Sequence, residues 1–251
     1  MQSSNPVFGN APTLKQGYPS PEDVQAVYDT PQRLTMDDVV VKTGILLALV
    51  VVGGALSWAL DAPPAIVAVA GIAGFVLALV NIFKRQIVPV LVLLYAACEG
   101  FFLGGISAFF EHTRGYEGLP LQAAVGTAAI FGGVLLAYKN KILRATPKFT
   151  KIVSGAFLGL FALLILNVVI SLFDGSGSGL GLRNGSGLAI LFSIAFIAVG
   201  SMTFVLDFDQ AERLVAQGAP ERESWRVAFG LVVGLVWLYL EILRLLSYFR
   251  D

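Results

Sequence analysis

Four carboxylates fall inside or at the edge of apolar stretches where a soluble protein would not place them. Glu99 lies within residues 87–110, Glu241 within residues 227–249, and Asp207 and Asp209 follow directly on residues 188–206. A charge at the centre of a bilayer costs about 2.5–3.5 kcal/mol on insertion scales, so such groups must face a bundle interior or water. Counted at about 1.5 Å per residue from the start of each run, Glu99 and Glu241 stand roughly 18 and 21 Å along their helix axes, which predicts similar depths. Two carboxylates facing one low-dielectric cavity resist double ionisation, and they either share a proton or hold a cation through oxygen. Either arrangement makes a path for ions. The competing reading pairs Glu241 with Arg244, one turn away, and leaves Glu99 neutral and hydrogen-bonded between helices. Asp209 and Glu212 read as a solvated helix end, which leaves Asp207 the stronger candidate of that group. Lys84 and Arg85 fall on the same membrane face as Asp207. The plainer reading of these two is basic anchors at a membrane surface; the alternative is an ion-pair latch with Asp207.

Such acids need long apolar helices to carry them, and the chain supplies them. Of 251 residues 56% are hydrophobic and 14% charged, with a mean hydropathy of +0.78; soluble domains carry about 25% charged residues. Apolar runs recur at residues 41–60, 63–83, 87–110, 120–138, 152–173, 188–206 and 227–249. Each is long enough to cross a bilayer, which takes about 20 residues. Asp61, Ala62 and the helix-starting Pro63 and Pro64 separate the first two and demand a tight hairpin; without it the count drops to six. The expected fold is an all-α integral membrane protein, a seven-transmembrane-helix bundle embedded in lipid. Residues 1–38, with Pro6, Pro12, Pro19, Pro21 and Pro31, read as a polar, mostly disordered cytoplasmic tail. A capping box of Thr35 and Asp38 starts a short entry helix at its end, and residues 39–251 form the membrane domain.

Thirteen of the 17 basic residues fall in the tail or in loops on one face, against Arg114, Arg183 and Arg250 on the other. Lys and Arg are retained in the cytoplasm, so the amino terminus is expected inside and the carboxyl terminus outside. A polar tail without a targeting peptide fits the plasma (inner) membrane of a bacterium. The stretch GSGSGLGLRNGSG at residues 175–187 reads as a flexible external loop. Gly100/Gly104, Gly155/Gly159 and Gly230/Gly234 are small-xxx-small pairs expected to let helices pack closely inside the bundle.

Several function classes drop out. Basic and acidic residues balance at 17 each, which supplies no polycationic face for nucleic acid. With one histidine, His112, and one cysteine, Cys98, no zinc, haem or iron-sulfur ligand set exists. No cofactor is expected, and a bound metal must prefer oxygen. The last lysine is Lys151, so the final helix offers no Schiff-base amine for retinal. Ser107 and His112 share one segment, leaving no separately presented base for a serine protease. Asp207 and Asp209 point roughly 200° apart around one helix, which does not make a facing aspartyl pair. The protein is expected not to be an enzyme.

WLYLEILRLL at residues 237–246 resembles the final-helix motif of the transmembrane Bax inhibitor-1 family, written around LYLD with a Leu-rich stretch and an arginine behind it. LDFDQ at residues 206–210 resembles its penultimate-helix YD-x-Q element, and EGFFLGGIS at residues 99–107 its third-helix segment. The resemblance covers most of residues 35–251. It implies a final helix surrounded by six others, a pH-sensitive pair of acids between the last two helices, and leak of calcium across the membrane. Asp207 and Glu241 are the matching positions, with Glu241 standing where aspartate is usual. Simple depth puts Glu241 some 20 Å beyond Asp207, so contact between them requires the first turns of the final helix to lie outside the hydrocarbon or the penultimate helix to bend. Two functions follow as alternatives. One is a calcium (cation) leak channel gated by protonation of intramembrane carboxylates, with Glu241 the acid on which transport depends and calcium held by Glu241 and Asp207. The other is a non-conducting regulator that binds a membrane protease or another membrane protein.

Overall fold

A computed structural model describes residues 32–173 and 179–250. Its helices are α1 (Met36–Ala59), α2 (Pro64–Phe83), α3 (Pro89–Ala108), α4 (Leu119–Lys139), α5 (Pro147–Phe173), α6 (Gly187–Ala216) and α7 (Glu223–Ser247), and α3 runs on through a π turn at Phe109–Thr113. All seven are long and apolar enough to cross a membrane, which makes the chain a multi-pass membrane protein. Most of the polar tail expected over residues 1–38 lies outside the described residues. The capping box forms: the Thr35 N–H donates to Asp38 Oδ2 at 2.9 Å and the Asp38 N–H to Thr35 Oγ1 at 3.2 Å. From there α1 continues unbroken to Ala59, so the entry helix is the first turns of the span itself.

The tight hairpin between the first two spans is real. Asp61 takes the left-handed conformation at φ 45°, its N–H reaches Trp58 O at 3.2 Å, and the Ala62 N–H reaches Ser57 O at 3.1 Å. That Schellman pattern satisfies the last carbonyls of α1, and Pro64, preset in φ and without an N–H to lose, starts α2.

Helix α7 is the centre of the bundle: α1, α3, α4 and α6 pack on it most extensively, while α2 leans on α3 and α5 on α6, with the Phe161 ring of α5 6.2 Å from that of Trp237 on α7. One side of α7 sets Val227, Leu231, Leu235, Leu238 and Ile242 against Phe204, Val205 and Phe208 of α6 and Leu119 and Ala123 of α4. Another sets Ala228, Val232 and Val236 against Leu46 of α1 and Val92, Tyr95 and Ala96 of α3.

Lipid tails are as apolar as leucine, so helices in a bilayer associate by close packing rather than by the hydrophobic effect. The α1–α3 seam shows this. A Cβ on Gly100 would overlap the Val50 backbone, one on Gly104 would overlap the Gly54 backbone, and one on Gly53 would come within 2.9 Å of Ala97 O. The other two glycine pairs behave differently. Gly155, Gly159 and Gly230 have open space within 4 Å among the described residues, and Gly234 alone faces a neighbour, the Phe204 ring at 2.7 Å. Only the first of the three expected pairs brings backbones together.

The loops define two ends. The start of α1, the α2–α3 turn and the α4–α5 and α6–α7 loops share the basic end; the α1–α2, α3–α4 and α5–α6 connections share the far end. At the basic end an isolated antiparallel bridge between Arg33 and Pro220, with the Leu34 N–H donating to Ala219 O at 2.8 Å, ties the start of α1 to the α6–α7 loop.

Candidate functional site

At the far end the glycine-rich connection is folded where it is described, contrary to the flexible loop expected from its composition. Asn167, buried near the end of α5, accepts the Leu180 N–H at 2.9 Å and the Leu182 N–H at 3.4 Å through one side-chain oxygen. Leu182, only 8% exposed, packs with Leu164, Phe192 and Phe196. Gly179 has φ +58°, and a Cβ there would strike the Asn167 carbonyl, so this close approach requires glycine. Residues 174–178 of the same stretch lie outside the described residues.

This folded loop delivers Arg183 to Glu241. Arg183 Nη2 lies 3.5 Å and Arg244 Nη1 3.1 Å from Glu241 Oε2, and Ser193 Oγ of α6 donates to Glu241 Oε1 at 3.1 Å. The Glu241 side chain is 2% exposed, against 19% for Arg183 and 34% for Arg244. One buried carboxylate therefore stands between two guanidiniums. The partner anticipated from sequence, Arg244, is present, and a second comes from a different segment.

Asp207 belongs to the other end. It lines a cavity of about 360 Å³ with Asn81, Gln210 and Arg226, backed by Phe229 and Gly230. Asn81 donates to Leu77 O at 2.9 Å, while its Oδ1 is buried without a partner among the described residues. Arg226 is held by Glu223 at 2.7 Å and by the backbone carbonyl of Arg85 at 2.8 Å. The latch alternative is thus corrected: the Lys84 and Arg85 side chains are exposed and form no ion pair with Asp207 among the described residues. The basic side chain lining the Asp207 cavity is Arg226. Helix α2 has ended at Phe83, whereas Arg226 stands in the first turn of α7, which abuts the cavity.

Asp207 and Glu241 do not meet. Glu241 bonds to Ser193, and the 14 residues from there to Asp207 along α6 span about 21 Å. The calcium site expected from both acids together is therefore not formed as a pair. Among the described residues no three His, Cys, Asp or Glu side chains cluster as a metal site.

Glu99 and Glu241 are not level either. Helix α7 begins at Glu223 and α3 at Pro89, which places Glu241 18 residues and Glu99 10 residues from their first turns. The difference of eight residues is about 12 Å, and the α3–α7 contacts keep that register. The Tyr95 and Phe229 rings meet at 5.0 Å, and Ser107 Oγ and Tyr239 Oη lie 2.6 Å apart. Glu99 turns instead toward α2, where a Cβ on Gly74 would lie 2.8 Å from Glu99 Oε1. Its carboxylate has no hydrogen bond or ion pair among the described residues, and it is 9% exposed. Gly74 and Asn81 are seven residues apart and share a face of α2, so Glu99 stands roughly 10 Å beyond the Asp207 cavity along α2. The order from the basic end is Asp207, Glu99, Glu241.

Asp209 pairs with Arg213 at 2.6 Å, and Glu212 accepts from Tyr138 Oη at 2.8 Å. Both complete the polar end of α6.

A family model for Bax inhibitor 1 like proteins matches residues 5–251. The chain belongs to the Bax inhibitor 1 like family. Comparison with curated proteins finds no match. In this Bax inhibitor 1 like chain the two acidic motifs lie on the last two helices, as the resemblance implies, but at opposite ends of the bundle.

Sequence reasoning missed Arg183, Ser193, Arg226 and Lys42. The arginines and the lysine entered only as loop charges setting orientation. Lys42 is buried, its Nζ 2.6 Å from both Glu221 Oε1 and Ser224 Oγ and 5.5 Å from the Trp225 ring centre. A lysine two turns inside α1 was the available signal. Lys42→Ala is expected to lower thermal stability in detergent by about 1–3 kcal/mol, and Lys42→Met by less, because its chain still covers Trp225. Equal losses would mean that the ammonium alone matters.

Proposed function

We propose that the protein is a pH-sensitive calcium (cation) leak channel of the Bax inhibitor-1 type, not an enzyme, lying in a bacterial plasma membrane with its basic end in the cytoplasm. The observation that carries this reading is the ladder of three separated carboxylates, Asp207, Glu99 and Glu241, running from an open cavity at the basic end to a buried site near the far end. Acids in a membrane interior mark ion paths or proton relays. Single carboxylates spaced along a route favour passage over tight capture, because a conducting site must bind weakly enough to release. Oxygen donors suit calcium. Family membership supports the same reading, and the loop charges support the orientation.

The test is calcium entry into liposomes that contain only the purified protein. Asp207→Asn is expected to reduce entry about tenfold, the equivalent of about 1.4 kcal/mol at the limiting step. Asp209→Asn, which breaks only the pair with Arg213, is expected to stay within about twofold of wild type. Liposomes that remain tight to calcium would instead support the regulator that binds another membrane protein.

A further inference from the structure

We propose that Arg183 is a tethered cation occupying a cation-binding site formed by Glu241 and Ser193, and that a permeating small cation must displace it. The inference rests on the leak reading and adds what closes the path at its far end. Glu241 Oε1 takes a hydrogen bond from Ser193, while Oε2 faces both guanidiniums. The two arginines are not equivalent. Arg244 is on the same helix three residues away, so it accompanies Glu241 in every state of the bundle. Arg183 arrives on the loop over residues 179–186, and its contact is the longer, at 3.5 Å. Its Nε is buried with no hydrogen-bond partner among the described residues, so the guanidinium gives up donor capacity to be there. Among the described residues the guanidinium is held by one long ion-pair contact, with one donor left unpaired, and a cation so held is readily exchanged.

Two described features anchor the loop. The side-chain oxygen of Asn167 takes two of its N–H groups, and Leu182 fills an apolar site beside Phe192 and Phe196. Lifting this short segment would withdraw the guanidinium, uncover Ser193 and leave Glu241 open to a cation, without any helix moving. Such local opening is the low-energy end of the motions available to a folded protein.

The experiment reads exposure and flux separately. In a Cys98→Ala, Ser193→Cys background, reaction with a membrane-impermeant thiol reagent measures lifting of the loop, and calcium entry into liposomes measures conduction. Arg183→Gln and Asn167→Ala are each expected to speed labelling about tenfold, Arg183→Lys to keep it slow, and millimolar calcium to speed it in the unmodified loop. Arg183→Gln is also expected to raise calcium entry several-fold. Asn167→Ala leaves every charge in place, so it tests the cap even where Arg183→Gln folds poorly. Labelling unchanged by Arg183→Gln, Asn167→Ala and calcium would overturn the proposal. Labelling that responds while no variant passes calcium would uphold the tethered cation and sink the leak reading alone.

Discussion

Gly104→Leu is expected to remove the folded protein from detergent extracts. On Gly104 even a Cβ would overlap the backbone of Gly54, and the same seam holds Gly100 against Val50. Overpacking usually costs about 1–3 kcal/mol because side chains shift to make room. Here the obstacle is main chain, which cannot change rotamer, so α1 and α3 must separate along their length. That separation also parts α1 and α3 from α7, since Leu46, Tyr95 and Val232 belong to one cluster. A loss of about 3 kcal/mol or more is expected, read as disappearance of the monodisperse peak on size exclusion. Gly155→Leu, whose position faces open space, is the matched control and should leave the peak intact. Normal behaviour of Gly104→Leu would mean that the α1–α3 seam is not a close backbone contact.

The contrast between those two glycines marks where sequence reading stops. Both sit in the same small-xxx-small spacing, and spacing alone cannot say which face meets a neighbour; tertiary placement of the helix decides it. The spans were legible because a bilayer imposes length and hydropathy on every helix, and the hairpin at Asp61 was legible because two prolines can only begin a helix. The acids were legible as misplaced charges. Their partners were not. Arg183 lies in a stretch whose composition reads as flexible, and its order depends on Asn167, 13 residues before Leu180 in the chain. Lys84 and Arg85 were set beside Asp207, whose cavity is lined by Arg226 instead, and Glu99 was set level with Glu241, for one shared reason. Apolar runs do not give helix starts, and a change of a few residues at the head of α7 moves a depth estimate by several ångströms.

Glu241→Gln is expected to separate two roles that the carboxylate performs together. The side chain is almost fully buried, and among the described residues its charge is the one paired with the guanidiniums of Arg183 and Arg244. Removing one member of a buried pair costs about 3–5 kcal/mol because the remaining charge is left without compensation. Both arginines keep some exposure and can turn toward water, which places this site at the low end of that range. Thermal stability should fall, the loop over residues 179–186 should lift, and thiol labelling in the Ser193→Cys background should rise as it does for Arg183→Gln. Flux should move the other way. Glu241→Gln lacks the oxygen charge that receives the cation, so calcium entry should drop and lose its dependence on pH, whereas Arg183→Gln conducts more. Acid is expected to act through the same pair. Protonating Glu241 cancels the charge that faces Arg183 and Arg244 beside Ser193 and the Tyr248 side chain at the end of α7, and it frees the tethered guanidinium. Unlike the amide of the glutamine variant, the acid can give its proton up again and receive a cation once the loop has lifted. Entry should therefore rise with acidification in the wild type and respond far less in Arg183→Gln. The double variant Glu241→Gln/Arg183→Gln removes both the charge and its principal competitor. It should recover part of the stability lost by Glu241→Gln, with a coupling of about 1–3 kcal/mol, yet remain poor at passing calcium. If Glu241→Gln instead conducts as freely as Arg183→Gln, Glu241 serves only to hold the loop, and the cation path runs through Asp207 and Glu99 without it.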